Sequence, residues 1–352
     1  MTPTSPGNLG NDGGKRARAI HRVALVAIAT NSALIIGQIC IGLFAHAFSL
    51  VADAAHTLSD LITDLMVLVA GRRGADPADI DHPYGHGRIE TASSLLLGGV
   101  LIAVGFGFLW ASGVRLQNMD AQTAAVLHPV ALVMAAVTLA AKEILFRFTL
   151  TASRRLSAPL LEANAWHARS DAASSLVVAI GIGGSLAGYP FLEPLAAAVV
   201  GFLILSMGLR LGWQAVRELI DTGLPPEELA SLRQSIAATP GVVGLHDMRT
   251  RRMADRVLCD THIQVDPRIT VSEGHYIAER VSLAICKSHP KVSEVLVHVD
   301  TERDESPPSP NIEQLPDREM VRADIEALLG GDGPAIQRLL VHYLGCRIEV
   351  EV

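Results

Sequence analysis

The sequence predicts an α-helical membrane protein: six transmembrane helices followed by a small cytoplasmic α/β domain. Three observations lead there. The chain of 352 residues is 49% hydrophobic and only 18% charged, against about 25% charged in a soluble domain. Its apolar residues concentrate between Ala19 and Trp213, and its charges crowd into the remainder. The apolar part divides into six runs of about 20 residues, the length needed to cross a hydrocarbon core. The polar part carries shorter alternating and amphipathic patterns instead.

Residues 1–18 form the first segment, Gly-, Pro- and Asn-rich at its start, and are expected to be disordered. Lys15, Arg16, Arg18 and Arg22 then lead into the apolar run Val23 to Phe44. That run is longer than the roughly 7–15 residues of a signal-peptide core. The six spans are expected over 20–44, 50–70, 90–114, 127–149, 162–187 and 191–213, within a membrane domain of residues 19–214. Basic residues sort to the N-terminus, the second loop (Arg72, Arg73, Arg88) and the fourth loop (Arg147, Arg154, Arg155). By the positive-inside rule both termini are then cytoplasmic. The second span runs inward and the fifth outward, so their side chains can meet at mid-membrane. The expected location is the cell inner (cytoplasmic) membrane, as a multi-pass protein.

Residues 215–302 are expected to be the cytoplasmic domain. Pro225 and Pro226 followed by Glu227 and Glu228 mark a helix start, and Thr239-Pro240-Gly241 marks its end. Strands are expected over 243–252 and 256–265, a helix over 272–288 and a last strand over 292–300. In the second strand Val257, Cys259, Thr261, Ile263 and Val265 alternate with polar neighbours, as on a half-buried strand. The α-β-β-α-β order suits a small open-faced domain. Residues 303–316 are acidic and Pro-rich, a linker, and 317–352 form an accessory tail with no function assigned.

Chemistry concentrates in two pairs at bilayer depth, His56 with Asp60 and His167 with Asp171. Residues four apart share a helix face, and intramembrane ionisable groups are costly and mark ion paths. Two imidazoles and two carboxylates suit a tetrahedral divalent metal, zinc above all. Asp53 and Asp64 extend the stripe of His56 and Asp60, and are read as lining the two mouths of a path that water reaches. His-Glu-x-x-His, with its open position for water, is absent from the sequence. The site therefore favours moving a metal over activating a water, and the chain is read as a transporter, not an enzyme. The net charge of −7 argues against a nucleic-acid partner. The four cysteines (Cys40, Cys259, Cys286, Cys346) show no C-x-x-C pairing and read as reduced and structural.

Ala52-Asp53-Ala54-Ala55-His56-Thr57-Leu58-Ser59-Asp60, together with His167-x-x-x-Asp171, resembles the second- and fifth-span motifs of the cation diffusion facilitators. The likeness covers residues 15–302 and is closest to the bacterial zinc/iron efflux members. It implies a homodimeric, proton-coupled exporter of divalent metal working by alternating access, with Zn2+ as substrate and as a structural or regulatory ion. His56, Asp60, His167 and Asp171 would form its transport site. Iron, cadmium, cobalt and manganese stay open as cargo. In the second loop, spacing alone makes Asp79, His82 and His86 a modest candidate cluster, and the resemblance marks them as a second metal site. It also implies that Arg88 pairs with Asp221, and that the metallochaperone-like cytoplasmic domain dimerises. There His246, His262, His275, His298 and Asp300 match metal-binding positions. The alternative is a non-transporting metal sensor or scaffold subunit of the same family.

Overall fold

The computed structural model describes residues 9–74, 76–118, 127–156, 159–302, 315–330, 335–344 and 347–352. It divides into two compact units, Met1–Val216 and Arg217–Val352.

The first unit is built from α1 (Leu9–Phe44), α2 (Phe48–Gly74), α3 (Arg88–Gln117), α4 (Val130–Leu156), α5 (Pro159–Leu186) and most of α6 (Leu192–Leu219). Each expected span overlaps one of these helices, and only residues 127–129, 187 and 191 of the expected spans fall outside them. The expected disordered N-terminus needs correction, because α1 starts at Leu9. Residues 1–8 lie outside the described residues. Lys15, Arg16, Ala17, Arg18 and Ala19 are strong helix formers that extend the apolar span backwards. By length and composition α1 (from His21), α3 and α6 are apolar enough to cross a membrane. The other three carry the polar side chains of the site. Ile36, Leu43, Leu96, Phe106, Trp110 and Ile144 point outward from the bundle, as lipid-facing residues must.

Helix α2 packs on α1, α3 and α5, and α4 packs on α1 and α5. The shared core includes Leu34, Leu50, Leu97, Ala131, Val178, Ile182 and Ile204. Between α3 and α6 the backbones nearly touch. A Cβ added at Gly98 would lie 2.8 Å from the Gly212 nitrogen, and one at Gly208 would lie 2.8 Å from the Ile102 nitrogen. Small residues on the facing surfaces are what permit such an approach in a membrane. Glu193, buried at the start of α6, accepts a 2.7 Å hydrogen bond from the Ser49 backbone N–H. It thereby satisfies one of the N–H groups that the first turn of α2 leaves without a helical partner.

The second unit holds α7 (Pro226–Ala237), β1 (Gly244–Met253), β2 (Arg256–Gln264), α8 (Val271–Ser288) and β3 (Val292–Asp300). The sheet order is β1-β2-β3, with β1/β2 antiparallel and β2/β3 parallel. This matches the expected α-β-β-α-β order. Leu232 and Ile236 of α7 and Ile277, Val281 and Ile285 of α8 cover Met248, Val257, Cys259 and Ile263 of the sheet. Thr270 caps α8 by accepting from the Glu273 backbone N–H, the Thr-x-x-Glu pattern of a helix start. Of the expected linker at 303–316, residues 303–314 lie outside the described residues. The tail forms α9 (Arg318–Leu329) and an antiparallel hairpin of β4 (Leu340–Leu344) and β5 (Arg347–Glu351).

Candidate metal-transport site

Asp53, His56, Asp60 and Asp64 recur every three or four residues on α2, and His167 and Asp171 stand one turn apart on α5. Where α2 meets α5, ligand atoms of His56, Asp60 and Asp171 come within 4.8 Å of one another. His56 Nε2 lies 3.9 Å from Asp60 Oδ2 and 4.0 Å from Asp171 Oδ1. These gaps are too long for hydrogen bonds. Bonds of about 2.0–2.2 Å to zinc would set tetrahedral ligand atoms roughly 3.3–3.6 Å apart, a contraction of a few tenths of an ångström. His56 Nδ1 and Asp60 Oδ2 are buried without a hydrogen-bond partner, although buried polar atoms nearly always have one. The fourth expected ligand, His167, sits at the edge, its Nε2 3.9 Å from Asp171 Oδ2 and its side chain 56% exposed.

Asp53 departs from its expected place at a mouth reached by water. It is fully buried. Gln38 Nε2 of α1 donates to its Oδ2 at 2.6 Å and Ser175 Oγ of α5 at 2.8 Å. Ser174 Oγ stands 3.1 Å and the Lys142 ammonium of α4 3.7 Å from its Oδ1. Lys142 also donates to Thr57 Oγ1 at 3.1 Å and to the Asp171 carbonyl at 3.4 Å. A carboxylate pulled from water needs this many partners. Asp64 is exposed. The sequence reading passed over Lys142, Gln38, Ser174 and Ser175. A lysine in the middle of the fourth apolar run meets the same criterion of intramembrane charge that singled out the histidines.

In the loop between α2 and α3, Asp79 is gripped by both histidines. His82 Nδ1 is 3.3 Å from its Oδ1, His86 Nε2 is 3.4 Å from its Oδ2, and the two rings are 4.4 Å apart. The His82 backbone N–H donates to Asp79 Oδ1 at 2.6 Å. That bond, with the histidine side chains, holds the carboxyl below the usual carboxylate range. An anionic carboxylate beside two imidazoles suits a divalent metal.

In the cytoplasmic unit, His246, His262 and Asp300 form a third cluster with ligand atoms within 4.8 Å of one another. His246 Nε2 is 3.2 Å and His262 Nδ1 3.1 Å from Asp300 Oδ2. His298 Nδ1 is 2.8 Å from Asp300 Oδ1 and 3.2 Å from His262 Nδ1. Parallel pairing brings this about, because His262 stands opposite His298 and Gln264 opposite Asp300. His246 arrives by a different route. The β1/β2 register slips between Leu245 and Asp247, so His246 is the extra residue of a bulge, a device that re-aims one side chain. Two ring nitrogens face each other across a shared carboxylate, a donor set that a divalent cation would satisfy. His275 does not join them. It is exposed on α8, whose inner stripe at Gly274, Ile277, Val281 and Ile285 faces the sheet. Arg88 opens α3 in the first unit, and Asp221 follows α6 in the second.

Comparison with known proteins agrees with this arrangement. Residues 24–220 match the cation efflux transmembrane domain, and residues 224–302 match the cytoplasmic domain of cation efflux proteins. Metal tolerance protein C1 of Arabidopsis thaliana is 36% identical over 299 residues, 82% of this chain and 63% of its own length. This chain thus spans somewhat less than two thirds of that plant protein. Metal tolerance protein 2 of rice, Oryza sativa subsp. japonica, is 34% identical over 310 residues, 82% of this chain and 79% of its own. The cation-efflux pump FieF of Escherichia coli O127:H6 is 29% identical over 283 residues, 80% of this chain and 93% of its own. A membrane bundle that gathers histidine and aspartate at its centre, joined to an α-β-β-α-β domain and matched along both parts, makes this chain a member of the cation efflux family, whose members are multi-pass membrane transporters of metal cations and not enzymes.

Proposed function

We propose that the chain exports divalent metal, zinc foremost, in exchange for protons, by alternating access within a homodimer in the cell's inner membrane, both termini cytoplasmic. The observation that carries this reading is the convergence of His56, Asp60 and Asp171 inside the bundle, with His167 one turn from Asp171. With His167 swung inward the four supply a two-nitrogen, two-oxygen tetrahedron, the arrangement zinc prefers. Asp64 and His167 lie toward the cytoplasmic end and are open, so a metal enters from there. Bound metal requires neutral imidazole and ionised carboxylate, so metal and protons compete for the same atoms. Imidazole, with its ordinary pKa of about 6.5, exchanges one for the other within the physiological pH range.

The loop cluster of Asp79, His82 and His86 would deliver or sense metal at the membrane surface. The cluster of His246, His262, His298 and Asp300 would hold a regulatory metal in the dimerising domain.

Zinc flux into proteoliposomes under an imposed pH gradient tests the reading. Flux that collapses with the gradient is expected, and flux indifferent to it would sink proton coupling. Asp60→Ala and Asp171→Ala are each expected to lower flux by at least the roughly 10–100-fold that loss of a mere outer partner of a metal ligand costs. Wild-type flux in either one would remove these residues from the site. A competition series across zinc, iron(II), cadmium, cobalt and manganese fixes the cargo.

A further inference from the structure

We propose that Lys142 and Asp53 form a metal-sensing latch. Their ion pair closes the outer side of the transport site, and a divalent cation arriving among His56, Asp60 and Asp171 drives Lys142 off it. This inference rests on the transport reading above and on its topology.

Position is the first argument. Asp53 lies three residues before His56 and Thr57 one after it, on a helix that runs inward. Ser174 and Ser175 lie three and four residues after Asp171, on a helix that runs outward. Asp53, Ser174 and Ser175 are thus displaced to the same, outer, side of the metal cluster, and Lys142 reaches from Asp53 to Thr57 and the Asp171 carbonyl at the level of the cluster. The inner side is different. Asp64 is exposed there and the His167 side chain is half open, whereas the outer network is sealed, with Lys142 2% and Asp53 0% exposed. Through one carboxylate and one ammonium, four helices are tied together: α1 by Gln38, α2 by Asp53 and Thr57, α4 by Lys142, and α5 by Ser174, Ser175 and the Asp171 carbonyl. An outward path cannot open between α2 and α5 without breaking these bonds.

Charge supplies the trigger. Asp53, Asp60 and Asp171 with Lys142 sum to −2, so an empty site attracts the ammonium. A divalent metal cancels that charge and repels a cation already in contact with Asp171. Metal and ammonium therefore oppose each other, and by linkage removing the ammonium from the site must tighten metal binding. Lys142 also occupies Asp53 and so keeps a third carboxylate from capturing the metal on its way out. It acts through its neighbours and is a positioning residue.

The test measures zinc affinity by equilibrium dialysis of the purified full-length chain, in a His82→Ala, His262→Ala background that weakens the two other clusters. Proteoliposome flux is measured alongside. Lys142→Met is expected to bind zinc roughly tenfold more tightly, within the usual range of coupling between sites, and to lose flux because the metal is retained. Asp53→Asn should bind more weakly, since the freed ammonium falls towards the empty site. The double variant should return affinity to near that of the parent. Lys142→Arg keeps the charge and should retain the parent's affinity. A merely structural role would weaken binding in both single variants. Affinity shifts of the same sign in Lys142→Met and Asp53→Asn, no shift in either, or equal behaviour of Lys142→Arg and Lys142→Met would overturn the latch. Absence of wild-type flux would overturn the transport reading instead, while the affinity comparison still judges the latch. A chain in this background that binds no zinc overturns both.

Discussion

Asp53 and Asp60 lie about two turns apart on one helix and are treated in opposite ways. Asp53 is surrounded by donors, and Asp60 keeps a buried oxygen with no hydrogen bond at all. A saturated carboxylate holds structure, whereas an unsaturated one in a dry interior is a vacancy for a cation. Burial changes chemistry elsewhere too. The Cys259 thiol, beneath α8 and beside the Asp260 carboxylate, is pushed up to about 11, first by burial and then by that negative charge. At pH 7.5 it is therefore overwhelmingly protonated, and the thiolate is the reactive form. In the native protein a maleimide should leave Cys259 unmodified, and it should label Cys259 once the chain is unfolded in denaturant. Equal labelling of Cys259 in the native and unfolded chain, read by peptide mass spectrometry, would refute its burial. The histidine and aspartate pairs were legible in the sequence because helical spacing alone puts them on one face. The partners of Asp53 were not legible, because they come from three other helices and only packing brings them together.

At the scale of elements, the α3/α6 contact depends on absent side chains. A Cβ at Gly208 would meet the Ile102 nitrogen at 2.8 Å and the Gly98 carbonyl oxygen at 2.9 Å, both backbone atoms that cannot swing aside. Gly208→Ala should therefore destabilise the bundle by about 1–3 kcal/mol, the usual cost of overpacking. Gly107→Ala is the control, because a Cβ at Gly107 has no neighbour within 4 Å. Thermal melting in detergent should separate the two variants, and equal melting temperatures would disprove the close approach. Strand alternation was legible in β2 and β3 because both keep a regular two-residue period beyond the irregularity between Val257 and Leu258. It could not aim His246, since a bulge shifts the register by one residue at that point. It also did not exclude His275, because a helix face is decided by which stripe the sheet buries.

For the whole molecule, the tail is the part that sequence reasoning left without a role, and its contacts give it an attachment. Arg268 of the β2–α8 loop donates to Glu349 of β5 at 2.9 Å, and His342 Nδ1 of β4 lies 3.2 Å from the Pro267 carbonyl. The Arg268 guanidinium holds the Glu349 carboxyl below its usual range. A depressed carboxyl adds stability that is fully present above its unfolded pKa and is lost as pH falls through the folded one. The hairpin should stay docked at pH 7 and loosen as the solution is acidified below the ordinary range of glutamate. Amide hydrogen exchange of 347–351, corrected for intrinsic rates, measures this, and Glu349→Gln should remove the pH dependence. Protection that does not change with pH would show that the ion pair does not hold the tail.

The uneven hydropathy of the helices sets conditions on how the chain is made. Helices α1, α3 and α6 are apolar enough to partition into lipid one at a time. Helices α2, α4 and α5 carry Asp53, His56, Asp60, Lys142 and Asp171, and a nascent helix bearing such charges meets a steep barrier to leaving the translocon alone. Each has a neighbour that relieves the cost, α1 for α2, while α4 and α5 shelter one another. Lys142 meets the Asp171 carbonyl only once α4 and α5 have come together. Insertion is then a matter of helices entering in company, so a ribosome pausing between α4 and α5 would strand a lysine that has no counterpart yet synthesised in its own hairpin.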